Sequence, residues 1–147
     1  NTDNKMAAFI NPEDYDASIH QEILDSLIRS DKQIIEICED RAIAEMRGYL
    51  SARYDCSKVF SAQGEGRNQL VLMMAIDIAI YHIFSIHNPR NMSQIRVDRY
   101  ERAIEWLKGV RKGDISVDGL PEIEKEEDRS AASQFQIRSN PKRNNYF

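Results

Sequence analysis

The chain has 147 residues, 41% apolar and 30% charged, with a formal net charge of −4. That is a single-domain length with enough apolar residues to bury a core without staples. The mild acidity does not mark a nucleic-acid or membrane-surface binder, and two cysteines, Cys38 and Cys56, make no disulfide framework or metal-site spacing.

In chain order, residues 1–10 read as a loose leader ending in a small hydrophobic patch, Met6 to Ile10. With one lysine and no long apolar core there, no signal peptide is expected, and a cytoplasmic, reducing setting fits. Asn11-Pro12 supplies a helix start: an Asx cap, proline at the first helical position, and Glu13 and Asp14 at the positive end of the dipole. Ile19, Ile23, Leu24, Leu27 and Ile28 mark one face of a first helix running to about Arg29, where Ser30-Asp31 breaks it. A second helix spans about Lys32 to Tyr54. Its seam reads Ile35, Cys38, Ala42, Met46 (or Glu45), Tyr49 and Arg53 at 3.5-residue spacing. Gly48 costs it ~1 kcal/mol against alanine, tolerable if a neighbour packs close there. Asp55 to Asn68 has two glycines and no periodicity, so a connecting loop is expected, with Val59 and Phe60 tucked inward.

Leu70 to Ile86 is apolar almost all the way round, with Asp77 its only full charge. Such a helix must be surrounded by protein or lipid. Crossing a bilayer takes roughly 20 mostly apolar residues, and a mid-bilayer carboxylate costs about 2.5–3.5 kcal/mol. This run is slightly short, centred on Asp77, and followed by His82, Ser85 and His87. It is expected to be the central helix of a small soluble bundle, with no membrane partner. Asn88-Pro89 stops it. Ser93 caps a fourth helix to about Lys112, with Val97, Tyr100, Ile104 and Leu107 as its buried stripe and Trp106 beside it. Gly113 is a natural residue just past the end. Asp114 to Asp118 alternates like a very short strand. An acidic run, Glu122 to Arg129, leads into Ser130–Phe147, which has no period, no acid and three cations, Arg138, Lys142 and Arg143. The expected fold is all-α: a compact four- to five-helix bundle over residues 11–120 around a central apolar helix at about 68–87. Residues 121–147 form an extended, acidic-then-basic C-terminal tail.

Little here points to catalysis. His20, His82 and His87 carry no HExxH or cysteine partner, and Gly64-Glu65-Gly66 opens no phosphate cradle. No catalytic residue, metal ligand or cofactor is therefore expected, and a catalytic role for Asp77 would need a cavity beside it. An ionised carboxylate among isoleucines is costly unless paired. Arg53 or Tyr54 on the second helix, or Arg99 or Arg102 on the fourth, would hold Asp77 and fix register. Arg96, Arg99, Arg102, Lys108, Arg111 and Lys112 face Asp98, Glu101 and Glu105 on one helix. That is a solvated face threaded by pairs such as Asp98 with Arg102. Alternatively Arg96, Arg99, Lys108 and Arg111 contact phosphates. In the tail, Arg138, Lys142 and Arg143 lie between Phe135 and Ile137 on one side and Tyr146 and Phe147 on the other, the composition of an arm that docks in a neighbour's groove. Folding back on its own domain is the alternative.

Ala44-Glu45-Met46-Arg47-Gly48-Tyr49-Leu50-Ser51-Ala52-Arg53-Tyr54-Asp55 resembles the helix-end signature of the Mu-like phage gp36 family. So do Asp77-Ile78-Ala79-Ile80-Tyr81, Arg99-Tyr100-Glu101-Arg102-Ala103-Ile104-Glu105-Trp106-Leu107 and the Gly113-Asp114-Ile115 exit, in order over residues 10–120. The ending Ser139–Phe147 is similar to the tails of some members, whereas Ser57–Arg67 and the acidic run match nothing assignable. The resemblance implies a non-enzymatic head–tail connector of a tailed phage or prophage. Such an adaptor is assembled in the bacterial cytoplasm into the virion, as a homo-oligomeric ring between portal and tail proteins and near DNA. Arg53, Tyr54, Asp77 and Arg102 would then hold the bundle together and the tail would make the assembly contact. A small helical nucleic-acid-binding or regulatory protein using the fourth helix is the rival.

Overall fold

A computed structural model describes residues 8–15, 21, 33–87 and 89–124. Within them the protein is an all-helical bundle built from α1 (Gln33–Leu50), the short α2 (Cys56–Ser61), α3 (Gln69–His87) and α4 (Gln94–Lys112), with α1, α3 and α4 packed on one another. The first helix and the C-terminal tail read from the sequence lie mostly or wholly outside the described residues.

α3 is the hub. Val71, Leu72, Met74, Ala75, Ile78, Ala79, Ile80, Ile83 and Phe84 are all buried, so neighbours cover more than one face of the helix. Its apolar window, Gln69–Ile86, is long enough to cross a membrane, but 56% of it is buried within the protein. Core burial accounts for that composition. Asn68 opens the helix: its side-chain oxygen accepts from the Val71 N–H at 3.0 Å, and its amide donates to the Asp118 carbonyl at 3.2 Å. α4 runs antiparallel to α3, as shown by Arg102 against Asp77, Tyr100 against Tyr81 and Arg96 against Phe84. α1 runs alongside α4 in the same sense, Glu45 meeting Tyr100 and Tyr49 meeting Arg111.

Several local expectations are corrected. Pro12–Asp14 forms a single 3-10 turn and Tyr15 is extended, so no helix runs continuously from Pro12. The buried row of α1 is Cys38, Ala42, Met46 and Leu50, every fourth residue, not a 3.5-residue seam through Tyr49 and Arg53. The helix ends at Leu50 instead of Tyr54 because Tyr54 is drawn into a lone antiparallel β-bridge with Glu122. The Asp55–Asn68 segment is not all loop. Asp55 caps α2, accepting from the Lys58 N–H, and Cys56, Val59 and Phe60 are buried on that helix. Ser93 sits at the start of α4 but makes no side-chain cap bond there, and the buried row of α4 is Ala103, Leu107 and Val110. Gly48 has open space around it and no close neighbour.

Asp114–Asp118 is not a strand either. Gly113 adopts φ 92°, and the Asp114 and Ile115 N–H groups bond back to the Gly109 carbonyl at 3.0 and 3.1 Å. From there the chain stays with the domain. The Asp55 N–H donates to the Pro121 carbonyl at 2.8 Å, and the Ile123 N–H to the Arg53 carbonyl at 3.1 Å.

Candidate functional site

Four groups of polar side chains among the described residues each join different elements of this apolar bundle. The first is at the middle of α3. Asp77 is 8% exposed, and Arg102 Nη2 donates to its Oδ2 at 2.7 Å from a side chain that is 53% exposed. A solvent-side arginine thus reaches down to a buried carboxylate. Burial pushes the Asp77 carboxyl above its usual range, and the bond and charge of Arg102, then Arg99 and Arg96, offset this only in part.

The second group ties α1, α3 and α4 at one level. Glu45 holds His82 Nε2 at 3.0 Å with one oxygen and accepts from the Tyr100 hydroxyl at 2.9 Å with the other. Tyr100 stacks on Tyr81 with ring centroids 3.9 Å apart, and His82 meets both rings edge-on. A carboxylate only accepts, so His82 Nε2 carries the hydrogen in this bond. Burial, then the bond to Glu45, raises the Tyr100 phenol above its ordinary value.

The third group closes the C-terminal end of α1. Arg53 Nη1 donates to the Val110 and Ile115 carbonyls at 3.0 and 2.9 Å, taking up acceptors at the end of α4. The buried Tyr54 hydroxyl accepts from the Val117 N–H at 3.0 Å. The fourth group straps down the N-terminal segment. Arg67 grips both Asp14 carboxylate oxygens, the Nη2–Oδ1 bond being 2.9 Å, and donates to the Phe9 carbonyl at 2.8 Å. The two side chains are only 9% and 12% exposed. The hydrogen bond from Arg67 is the main reason the Asp14 carboxyl lies below its usual range. Phe9 packs edge-on against Phe60, centroids 5.1 Å apart.

Between the strap and α3 lies a groove of about 410 Å³ lined by Glu13, Asp14, Gln69, Leu72, Met73, Ile76 and Asp77. Its lining combines three apolar side chains, Leu72, Met73 and Ile76, with three carboxylates, Glu13, Asp14 and Asp77. Among the described residues its lining includes no histidine, lysine, cysteine or hydroxyl group, and its ionisable groups are those three carboxylates. Among the described residues, no three His, Cys, Asp or Glu side chains form a group able to hold a metal ion.

Of the four residues named as partners for Asp77, Arg102 is the one whose guanidinium bonds to it, while Arg53 and Tyr54 serve the end of α1. The α4 cations do not gather on one face. At about 100° per residue, Arg99 and Arg102 lie on one flank of the buried row and Lys108 and Arg111 on the other. Arg96 sits over the Phe84 ring at 5.7 Å and Arg111 over Tyr49 at 4.9 Å, both facing neighbouring helices. Phe135, Ile137, Arg138, Lys142, Arg143, Tyr146 and Phe147 lie outside the described residues. Sequence reasoning missed Arg67, in a stretch without periodicity, and weighed His82 only as a metal ligand. Glu45 carried a signal: it was the charged alternative to Met46 in the α1 seam.

A family model described as Bacteriophage Mu, Gp36 matches residues 3–137. No curated protein and no solved structure matches the chain significantly.

Proposed function

The chain belongs to the Bacteriophage Mu Gp36 family, and on that premise we propose that this phage protein is a non-enzymatic head–tail connector. It assembles as a ring between portal and tail proteins and ends up in the virion. The observation that carries the reading is the extent of the family match, residues 3–137, which takes in the helical bundle and the start of the basic arm. The polar chemistry supports it. Asp77, Glu45, Arg53 and Arg67 are each engaged in joining helices or loops, as a rigid building block requires. Residues 130–147, with their aromatic and cationic side chains, make the contact with a neighbour.

Deletion of 130–147 tests this. The shortened protein is expected to keep its helical circular dichroism and lose binding to the portal of the same phage. A tail-less protein that binds the portal as the intact one does would overturn the assignment. The division of Arg99 and Arg102 from Lys108 and Arg111 between two flanks of α4 gives the nucleic-acid reading no continuous basic stripe to work with. Affinity for free duplex DNA that falls steeply with salt and vanishes on replacing Arg96 and Arg99 would revive it.

A further inference from the structure

α3 is covered by its neighbours along most of its length but leaves an apolar strip open beside the strap. Leu70 is 38% and Met73 41% exposed in a helix whose other large side chains are mostly buried, and Ile76 next to them is only half-buried. Leu72, Met73 and Ile76 line the 410 Å³ groove together with the carboxylates of Glu13, Asp14 and the buried Asp77. Arg67 and Arg102 already face Asp14 and Asp77, so the exposed Glu13 is the carboxylate most open to an incoming cation.

We propose that this groove receives the C-terminal arm, residues 130–147, of a neighbouring copy. Phe135, Ile137, Tyr146 or Phe147 seats against Met73 and Ile76, and Arg138, Lys142 or Arg143 lies beside the Glu13 carboxylate. The inference rests on the connector reading and names the acceptor that reading requires.

Two observations select this occupant. The first is complementarity. The arm has three cations, no acid and four large apolar or aromatic residues, while the groove sets Leu72, Met73 and Ile76 beside the exposed Glu13 carboxylate. The second is length. The chain continues for 23 residues past Glu124, which fully extended span up to about 80 Å, roughly twice the ~35 Å breadth of a domain this size. An arm of that reach can leave its own domain and fill a groove on the next. In a ring the same arm-to-groove contact repeats head to tail, the heterologous geometry that closes a cycle.

The test places a benzoylphenylalanine cross-linker at the exposed Met73 position in the full chain, in a mixture of ¹⁴N- and ¹⁵N-labelled protein, alone and with its portal. The expected result is cross-linked peptides joining position 73 to residues 130–147 in mixed-isotope pairs. Glu13→Lys should cut their yield about tenfold or more, because it sets a like charge against the cationic arm. Lys142→Glu with Arg143→Glu should restore it. Cross-links to residues 16–32, to the same chain's own tail, to another protein, or none at all would overturn the proposal. Solution mass separates the two claims. Tail-dependent assembly with cross-links elsewhere removes the groove and leaves the connector, whereas assembly that ignores the tail removes both.

Discussion

Asp14 and Asp77 border the same groove, yet their contributions to stability change with acid in opposite directions. The Asp14 pKa lies below its ordinary value, chiefly through the hydrogen bond from Arg67. Its stabilisation is therefore fully present above the ordinary carboxylate pKa near 3.8 and is lost as pH falls through the depressed value. The Asp77 pKa is raised, chiefly by burial, so its ionisation costs stability at neutral pH, and the cost is relieved as pH falls toward the ordinary range. Asp14→Ala should lower stability at pH 7 by about 3 kcal/mol, since it leaves a buried Arg67 unpaired, and by less at pH 3. Asp77→Asn should be stabilising at pH 7, with the gain fading in acid. Arg102→Ala should cost about 1–2 kcal/mol at pH 7, a low value for a buried partner because Arg102 is half solvent-exposed. Urea melts of the three variants at pH 7 and pH 3 check all three signs; a stabilising effect that is the same at both pH values would contradict the account of Asp77.

Two glycines give contrasting tests of the helices. Gly48 lies inside α1 with nothing within 4 Å of where a Cβ would be, whereas at Gly109 in α4 that Cβ would meet the Ile115 side chain at 2.6 Å. Gly48→Ala should stabilise by about 0.5–1 kcal/mol. Gly109→Ala should gain clearly less or lose stability, and equal gains in thermal melts would contradict the packing. Tyr54→Phe removes the acceptor for the buried Val117 N–H and should cost about 1–3 kcal/mol, measured the same way. These elements also show what the sequence could reveal. The uniform apolarity of Leu70–Ile86 located the hub, and the Pro89 and Gly113 signals located its end and that of α4, because burial and local backbone preference decide those features. The end of α1 was misjudged because Arg53 and Tyr54 are positioned by groups some 60 residues away in sequence, Val110, Ile115 and Val117. The helix after Asp55 was legible in principle, since Asp55 is a good cap and Cys56, Val59 and Phe60 have helical spacing. The alternation over Asp114–Asp118 misled because a strand needs a partner, and the Ile115 and Val117 N–H groups bond instead to Gly109 and Tyr54. Asp77's need for a cation was readable from composition; that Arg102 supplies it depends on the antiparallel register of α3 and α4, which no local pattern encodes.

At the scale of the whole molecule, the described residues form a block held by apolar burial around α3 and fastened by Arg53, Arg67 and Glu45 at points where chain segments meet. On the proposed connector reading, such a block is the unit that assembles and residues 130–147 carry the specificity. Pro121 and Ile123 are hydrogen-bonded to Asp55 and Arg53 in the link between α1 and α2, so a truncation meant to spare the domain must end at or beyond Glu124. The most direct measurement is solution mass by light scattering over a concentration series, alone and with the portal of the same phage. It compares the intact chain with one ending at Glu124. The account predicts a closed oligomer of the intact 17.0 kDa chain, formed alone or on the portal, and a monomer for the truncated one under both conditions. An intact chain that stays monomeric with and without the portal, or a truncated chain that assembles as the intact one does, would contradict it.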